Sequence, residues 1–148
     1  VGAAGIAIAA FVFVLPATRG ASVQGRAGIP WRPFSEEARA AAARGGTAVI
    51  IDFSADWCVP CHELDKKTFA DAAVVELARG IVPLRVDLTK SGPATAAIGG
   101  RFSVRSVPTI IFIGADGAER AHLRVAGFVE AREFRRRLAE IAPPAGEK

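Results

Sequence analysis

Cys58 and Cys61 are the residues of this 148-residue sequence best suited to covalent redox chemistry. They are its whole complement of cysteine and enclose two residues, in Cys58-Val59-Pro60-Cys61. A disulfide between them closes a very small loop and restrains the unfolded chain little, so reactivity explains the pair better than stability does. The motif follows a short apolar, β-branched run and opens a helical segment. Cys58 is thereby presented at the helix start, where free amides and the dipole favour the thiolate, and is the expected attacking nucleophile. Cys61 lies one turn further in, shielded by the helix, and is the expected resolving thiol, able to release a mixed disulfide formed on Cys58. Pro60 suits the first turn, where its missing N–H has no partner to lose.

Asp52 stands six positions before Cys58 at the end of the apolar run AVIIDF. Burying an acid is costly, and the task that fits is to accept the Cys61 proton as that thiol attacks. A hydrogen-bonded acid at the strand end is the structural alternative. Asp65 follows Cys61 by four residues, one turn along the same helix face, and is either a second acid near the thiols or an exposed helix acid. Val107-Pro108-Thr109 precedes a further strand. Pro108 in the cis form would make a substrate-facing loop, with the backbone of Val107 free to pair with an extended segment.

Two other chemistries compete for the same residues. Cys58 to His62 reads CVPCH, the attachment pattern of c-type haem. Met is absent, however, and His122 is the only other histidine that could serve as a second axial ligand. Haem also gives no reason for an acid at the end of the preceding strand. Zinc would have to take Cys58, Cys61, His62 and His122, the whole supply of cysteine and histidine. The expectation is no metal, no cofactor beyond a redox-active Cys58–Cys61 disulfide, and a surface position for His62.

The elements that must position these groups can be read from periodicity and punctuation. Ser35 caps a helix that opens with Glu36 and Glu37, runs to Arg44 and stops at Gly45 and Gly46. Residues 48–53 read as a strand buried on both faces, and a helix begins near Val59. Asp71 caps another helix ending at Gly80, residues 81–88 form a strand, and residues 93–102 a helix. Strands at 109–113 and 119–125 are joined by a turn at Asp116-Gly117. The last helix, 130–141, buries Phe134, Leu138 and Ile141, with Arg132, Arg135, Arg136 and Arg137 mainly on its solvated side. Parallel crossovers first and an antiparallel hairpin last imply an α/β fold, a central mixed sheet with helices on both faces.

Hydrophobic residues at 51% and charged residues at 23% favour a packed core over disorder. The net charge of +4 comes with no basic run interleaved with aromatics, which excludes nucleic acid as the expected partner. Residues 1–15 are uncharged and apolar, closed by Pro16. As a helix they would span about 22 Å, short of a hydrocarbon core of about 30 Å. With no Met in the sequence, a fragment or processed product is expected, and residues 1–16 read as the end of a truncated transmembrane helix. A secretory signal would have a basic leading region and an A-x-A site. Residues 17–33 read as a linker, whose Arg19, Arg26 and Arg32 would by charge alone sit on the cytoplasmic side. Residues 34–142 are the expected domain and 143–148 a disordered tail.

DFSADWCVPC, the TF-D run at 68–71, RVDLT at 85–89, SVPTIIF and VAGF together resemble the thioredoxin superfamily. More narrowly, they are similar to the C-terminal periplasmic domain of the DsbD thiol:disulfide interchange family, over residues 29–141. The resemblance implies a thioredoxin fold and a protein-disulfide reductase. Electrons would pass from a membrane relay domain, through Cys58 and Cys61, to the disulfides of periplasmic redox partners. The domain would be tethered to the inner membrane. It also implies Asp52 and Asp65 as the acids near the thiols, Pro108 as the cis-proline, and Trp57 and Gly127 on the docking surface, where Pro60 and Val107 are the further expected substrate-binding residues. A stand-alone membrane-anchored thioredoxin of cytochrome c maturation is the rival within the fold. Pro60 makes the motif more like that of thioredoxin and implies a potential nearer about −270 mV than the about −120 mV of an oxidant. The Lys often found beneath the thioredoxin site is replaced near Pro83, so a Lys–Asp pair is not expected to handle the proton.

Overall fold

The computed structural model describes residues 28–143. The apolar run at 1–16, most of the linker and all but the first residue of the tail lie outside the described residues. Among those described, no helix is long and apolar enough to cross a membrane.

Five strands form one mixed sheet in the order β1-β3-β2-β4-β5. The central strand β2 (Val49–Ser54) runs parallel to β3 (Val82–Asp87) and antiparallel to β4 (Thr109–Ile113). Edge strand β1 (Arg32–Pro33) runs parallel to β3, and β5 (Val125–Ala126) antiparallel to β4. Side chains alternate across these strands. Val49, Ile51 and Phe53 join Leu84, Val86, Ile111 and Ile113 on one face, covered by helix α1 (Glu36–Arg44) and by Ile98 and Phe102 in and just after α4 (Pro93–Arg101). Ile50, Ile110 and Phe112 face the other way, against Leu64, Phe69, Val74, Phe134 and Leu138. These come from the segment after the cysteines, from α3 (Ala72–Ala78) and from α5 (Ala131–Ala139). Asp52 and Arg85 occupy this second face and stand opposite one another in the β2–β3 register.

The expected caps are present. Ser35 Oγ accepts from Ala38 N at 3.1 Å, and Asp71 Oδ1 accepts from Ala73 N and Val74 N. Four expectations are corrected. First, residues 29–33 belong to the domain. Ile29 is buried, Trp31 packs edge-on against Phe69 at 5.0 Å between ring centroids, and Arg32–Pro33 make the edge strand. The Gly, Pro and Arg content there reflects an edge strand, where Pro need not donate to the ladder. Second, the helix after Cys61 is not uniform: α2 (Val59–Glu63) passes into a π-helical turn, Leu64–Thr68, closed by Phe69 N to Leu64 O at 2.8 Å. The wider turn lets Leu64 and Thr68 both be fully buried.

Third, residues 119–125 do not form one strand. Glu119 makes a single bridge to Ile113, a 3₁₀ turn occupies Ala121–Leu123, and pairing resumes only at β5. The carbonyls this break releases are bound by Arg137, whose Nη1 donates to Leu123 O and Arg124 O, each at 3.0 Å. Fourth, therefore, Arg137 is tied into the fold, whereas Arg132, Arg135 and Arg136 are exposed as expected.

Candidate active site

The strand β2 ends at Ser54, and Ala55 O accepts from Cys58 N at 3.0 Å, turning the chain into α2 with Cys58 as its N-cap. Cys58 and Cys61 are joined by a disulfide, S–S 2.04 Å, with their Cα atoms 5.3 Å apart. Cys61 N donates to Cys58 Sγ at 3.2 Å. In a dithiol form, a backbone donor so placed would favour negative charge on Cys58 Sγ. Pro60 takes a first-turn position.

The expected difference in exposure between the two sulfurs is absent from the disulfide form: both cysteines are 3% exposed. Ala55 and Val107 pack against them. What distinguishes the two is the amide bonded to Cys58 Sγ.

The Val107–Pro108 peptide is cis. Pro108 O accepts from Gly127 N at 2.9 Å. Gly127 has φ +95°, a conformation that L side chains rarely adopt, so the residue holding this loop is a glycine for backbone reasons. Among the described residues, Val107 lies outside the backbone pairings of β4 and of the adjoining turn. Trp57 is 66% exposed, and its Nε1 donates to Thr89 O at 3.3 Å. Thr89 Oγ1 also accepts from Asp56 N, and Asp87 Oδ1 in turn accepts from Thr89 N. Among the described residues, Val59 and Phe128 are the other large exposed apolar side chains, one inside the motif and one beside Gly127. Sequence reasoning missed both, although Val59 could have been read from its place between the cysteines.

Beneath the motif the chemistry changes. Asp52 is 1% exposed. Its Oδ2 accepts from Arg85 Nε at 2.8 Å, while its Oδ1 is buried without a hydrogen-bond partner. Arg85 Nη2 donates to Asp65 Oδ1 at 2.6 Å, so one guanidinium holds both acids. The guanidinium also lies over the ring of Trp31 at 4.9 Å and that of Phe69 at 6.0 Å. Burial pushes the Asp52 carboxyl up to about 6; Arg85 opposes the rise and the negative charge of Asp65 adds to it. The structure therefore brings Asp52 and Asp65 together, and as expected no Lys among the described residues pairs with Asp52. The cation there is Arg85, two residues beyond Pro83.

The rival ligand sets are not gathered. His62 is on the surface with its Nε2 2.7 Å from Asp56 O, and His122 pairs with Glu140 at 3.2 Å. Among the described residues no group of three or more His, Cys, Asp or Glu side chains could hold a metal.

Relatives named thiol:disulfide interchange protein DsbD match this chain. That of Klebsiella pneumoniae is 40% identical over 64% of this chain and 16% of its own length; that of Cronobacter sakazakii is 42% identical over 65% and 17%. The chain thus spans about a sixth of the length of these curated relatives. A thioredoxin from Thermus thermophilus superposes with a TM-score of 0.64 at 25% identity, covering 78% of this chain and 88% of that one. The oxidised C-terminal domain of DsbD from Neisseria meningitidis superposes with a TM-score of 0.61 at 23% identity, covering 74% and 99%. A family model described as thioredoxin-like matches residues 30–115, more than half of the sequence, and the chain belongs to that family.

Proposed function

We propose that this domain is a protein-disulfide reductase that passes two electrons from its cysteine pair to partner disulfides. The observation that carries the reading is a Cys58–Cys61 disulfide at a helix start, with an unpaired buried carboxylate oxygen on the strand that leads into it. In the dithiol form, Cys58 as thiolate attacks one sulfur of a partner disulfide, forming a mixed disulfide and releasing one partner thiolate. Cys61 gives its proton to Asp52 and attacks Cys58 Sγ. The mixed disulfide breaks, the second partner thiolate leaves, and the domain is left with the Cys58–Cys61 disulfide and protonated Asp52. The partner is reduced by two electrons and the domain oxidised by two. The Asp52 proton is then free to reach solvent or the departing sulfur.

Trp57, Val59, Pro60 and Pro108 with Val107 form the docking surface, on which an extended partner segment pairs with the backbone of Val107. Re-reduction comes from a dithiol relay on the membrane side, with the domain in the periplasm and residues 1–16 as its tether. The names of the curated relatives support this arrangement over a stand-alone thioredoxin of cytochrome c maturation.

Incubating Cys61→Ser with disulfide partners, insulin included, is expected to accumulate mixed disulfides on Cys58, whereas Cys58→Ser accumulates none and reduces nothing. Trapping by Cys58→Ser instead would reverse the assignment of nucleophile. A wild-type potential more oxidising than about −150 mV in a glutathione buffer would reverse the direction of electron flow.

A further inference from the structure

We propose that Arg85 is a positioning residue for the exchange: by holding Oδ2 of Asp52 and Oδ1 of Asp65 at once, it leaves Oδ1 of Asp52 as the free acceptor for the Cys61 proton. It also supplies the positive charge that opposes the burial of that acid. The proposal rests on the disulfide-exchange reading above.

The geometry is specific to an arginine. Nε serves Asp52 and Nη2 serves Asp65, two donors of a rigid planar fork. The fork is fixed from behind by the Trp31 ring at 4.9 Å and the Phe69 ring at 6.0 Å, and from the strand by the register that sets Arg85 opposite Asp52. With Oδ2 taken, the carboxylate cannot turn away, and Oδ1 is left buried and unpaired. A buried acceptor without a partner is costly unless a donor arrives during function, and the Cys61 thiol of the reduced form is such a donor.

The charged groups around Asp52 are few. Arg85 comes from β3 and Asp65 from the π-helical turn, while β4 offers the apolar Ile110 opposite Asp52. Beyond the guanidinium, a polar cleft of about 170 Å³ opens to solvent, bordered by Ser54, Asp56, His62, Asp65, Arg85 and Asp87. Arg85 thus stands between the buried acid and water, and among the described residues is the one positive charge bonded to it. Its effect on Asp52 is to lower the proton affinity that burial raises. Without it, Asp52 stays protonated to higher pH and cannot accept from Cys61.

The test is a single turnover of the reduced full chain with the coloured aryl disulfide DTNB, read from pH 5 to pH 9 in wild type, Arg85→Gln, Arg85→Lys and Asp52→Asn. The first thionitrobenzoate released reports attack by Cys58, the second reports resolution by Cys61. Wild type is expected to show an acid limb in the second phase that Asp52→Asn lacks. In Arg85→Gln that limb moves alkaline by about one to three pH units, with the second phase about tenfold slower at pH 7 and the first nearly unchanged. Arg85→Lys recovers part of the shift, and carbon-13 titration of the Asp52 carboxyl follows the same order. If Arg85→Gln does not fold, Arg85→Lys alone decides, by moving the limb or leaving it in place. An unmoved limb overturns the proposal for Arg85 while leaving the exchange reading intact. A limb that survives Asp52→Asn removes Asp52 as the acceptor and overturns the proposal with it, whereas a wild type with no second phase overturns the exchange reading itself.

Discussion

Toward solvent, the cysteine pair is bordered by Trp57 and Val59, 66% and 70% exposed, and by the cis-Pro108 loop. Beneath it, Asp52 is 1% exposed and shares one guanidinium with Asp65. The outer side holds apolar surface in the open, where a monomer gains nothing from it, and the inner side holds charge where burial penalises it. Each feature is unfavourable for folding, and the proposed exchange gives each a use. On the proposed function, contact falls to one side of the sulfurs and proton transfer to the other, so substitutions on the two sides should fail in different ways.

The largest expected effect comes from the inner side. Asp52→Asn removes the acceptor and should slow resolution by about 100-fold above pH 6, with partner binding unchanged. The same substitution should stabilise the protein in alkali. The folded-state value of about 6 lies above the usual carboxylate value. The neutral form is therefore favoured by folding; its stability contribution is full below pH 4 and is lost as pH rises through about 6. The shift of roughly two pH units corresponds to about 3 kcal/mol. Urea unfolding at pH 4.5 and pH 8 should thus show Asp52→Asn gaining on wild type at the higher pH alone. An equal effect at both would mean that packing, not charge, sets the cost of Asp52.

On the outer side the loss should be one of affinity. Trp57→Ala removes an exposed ring whose indole N–H is held by Thr89 O. It is expected to raise KM for a protein disulfide by about fivefold to tenfold while kcat stays within about twofold. Steady-state kinetics over a range of partner concentrations separates the two. If kcat falls instead, the ring orients the cysteine loop and the two sides are not independent.

The outer side was largely legible in the sequence and the inner side only half so. Cys58, Cys61, Trp57 and Pro108 announce themselves by residue type and local spacing, and the strand, cap and glycine signals around them place most of the elements. Asp52 stood out as the one acid at the end of an apolar run. Arg85 did not, because its meaning depends on the register of β2 against β3, which no local pattern carries. The clue was available as a pair, a single acid in AVIIDF and a single base in IVPLRV, each interrupting an apolar strand with opposite charge. Trp31 was hidden by composition: a Gly- and Pro-rich stretch reads as linker, yet it supplies the ring behind Arg85. The break at Ala121–Leu123 was illegible locally because its stabilising donors belong to Arg137, far along the chain.

The smallest expected effect tests whether the charged side acts through its field. Asp65 lies across the guanidinium from Asp52, its side chain 38% exposed, and its negative charge raises the proton affinity of Asp52. Asp65→Asn removes that charge while keeping an oxygen that can accept from Arg85 Nη2. The acid limb of resolution should then move toward lower pH by roughly half a unit, since a partly exposed charge is screened by solvent. At pH 5.5 the second DTNB phase would be about twofold faster, with the gain shrinking as salt is added. The sign is opposite to that expected for Arg85→Gln. Should both substitutions move the limb alkaline, Asp65 matters by orienting the guanidinium. The inner side is then a hydrogen-bonded device that loses function when any member is removed, and its charges do not act as separable terms.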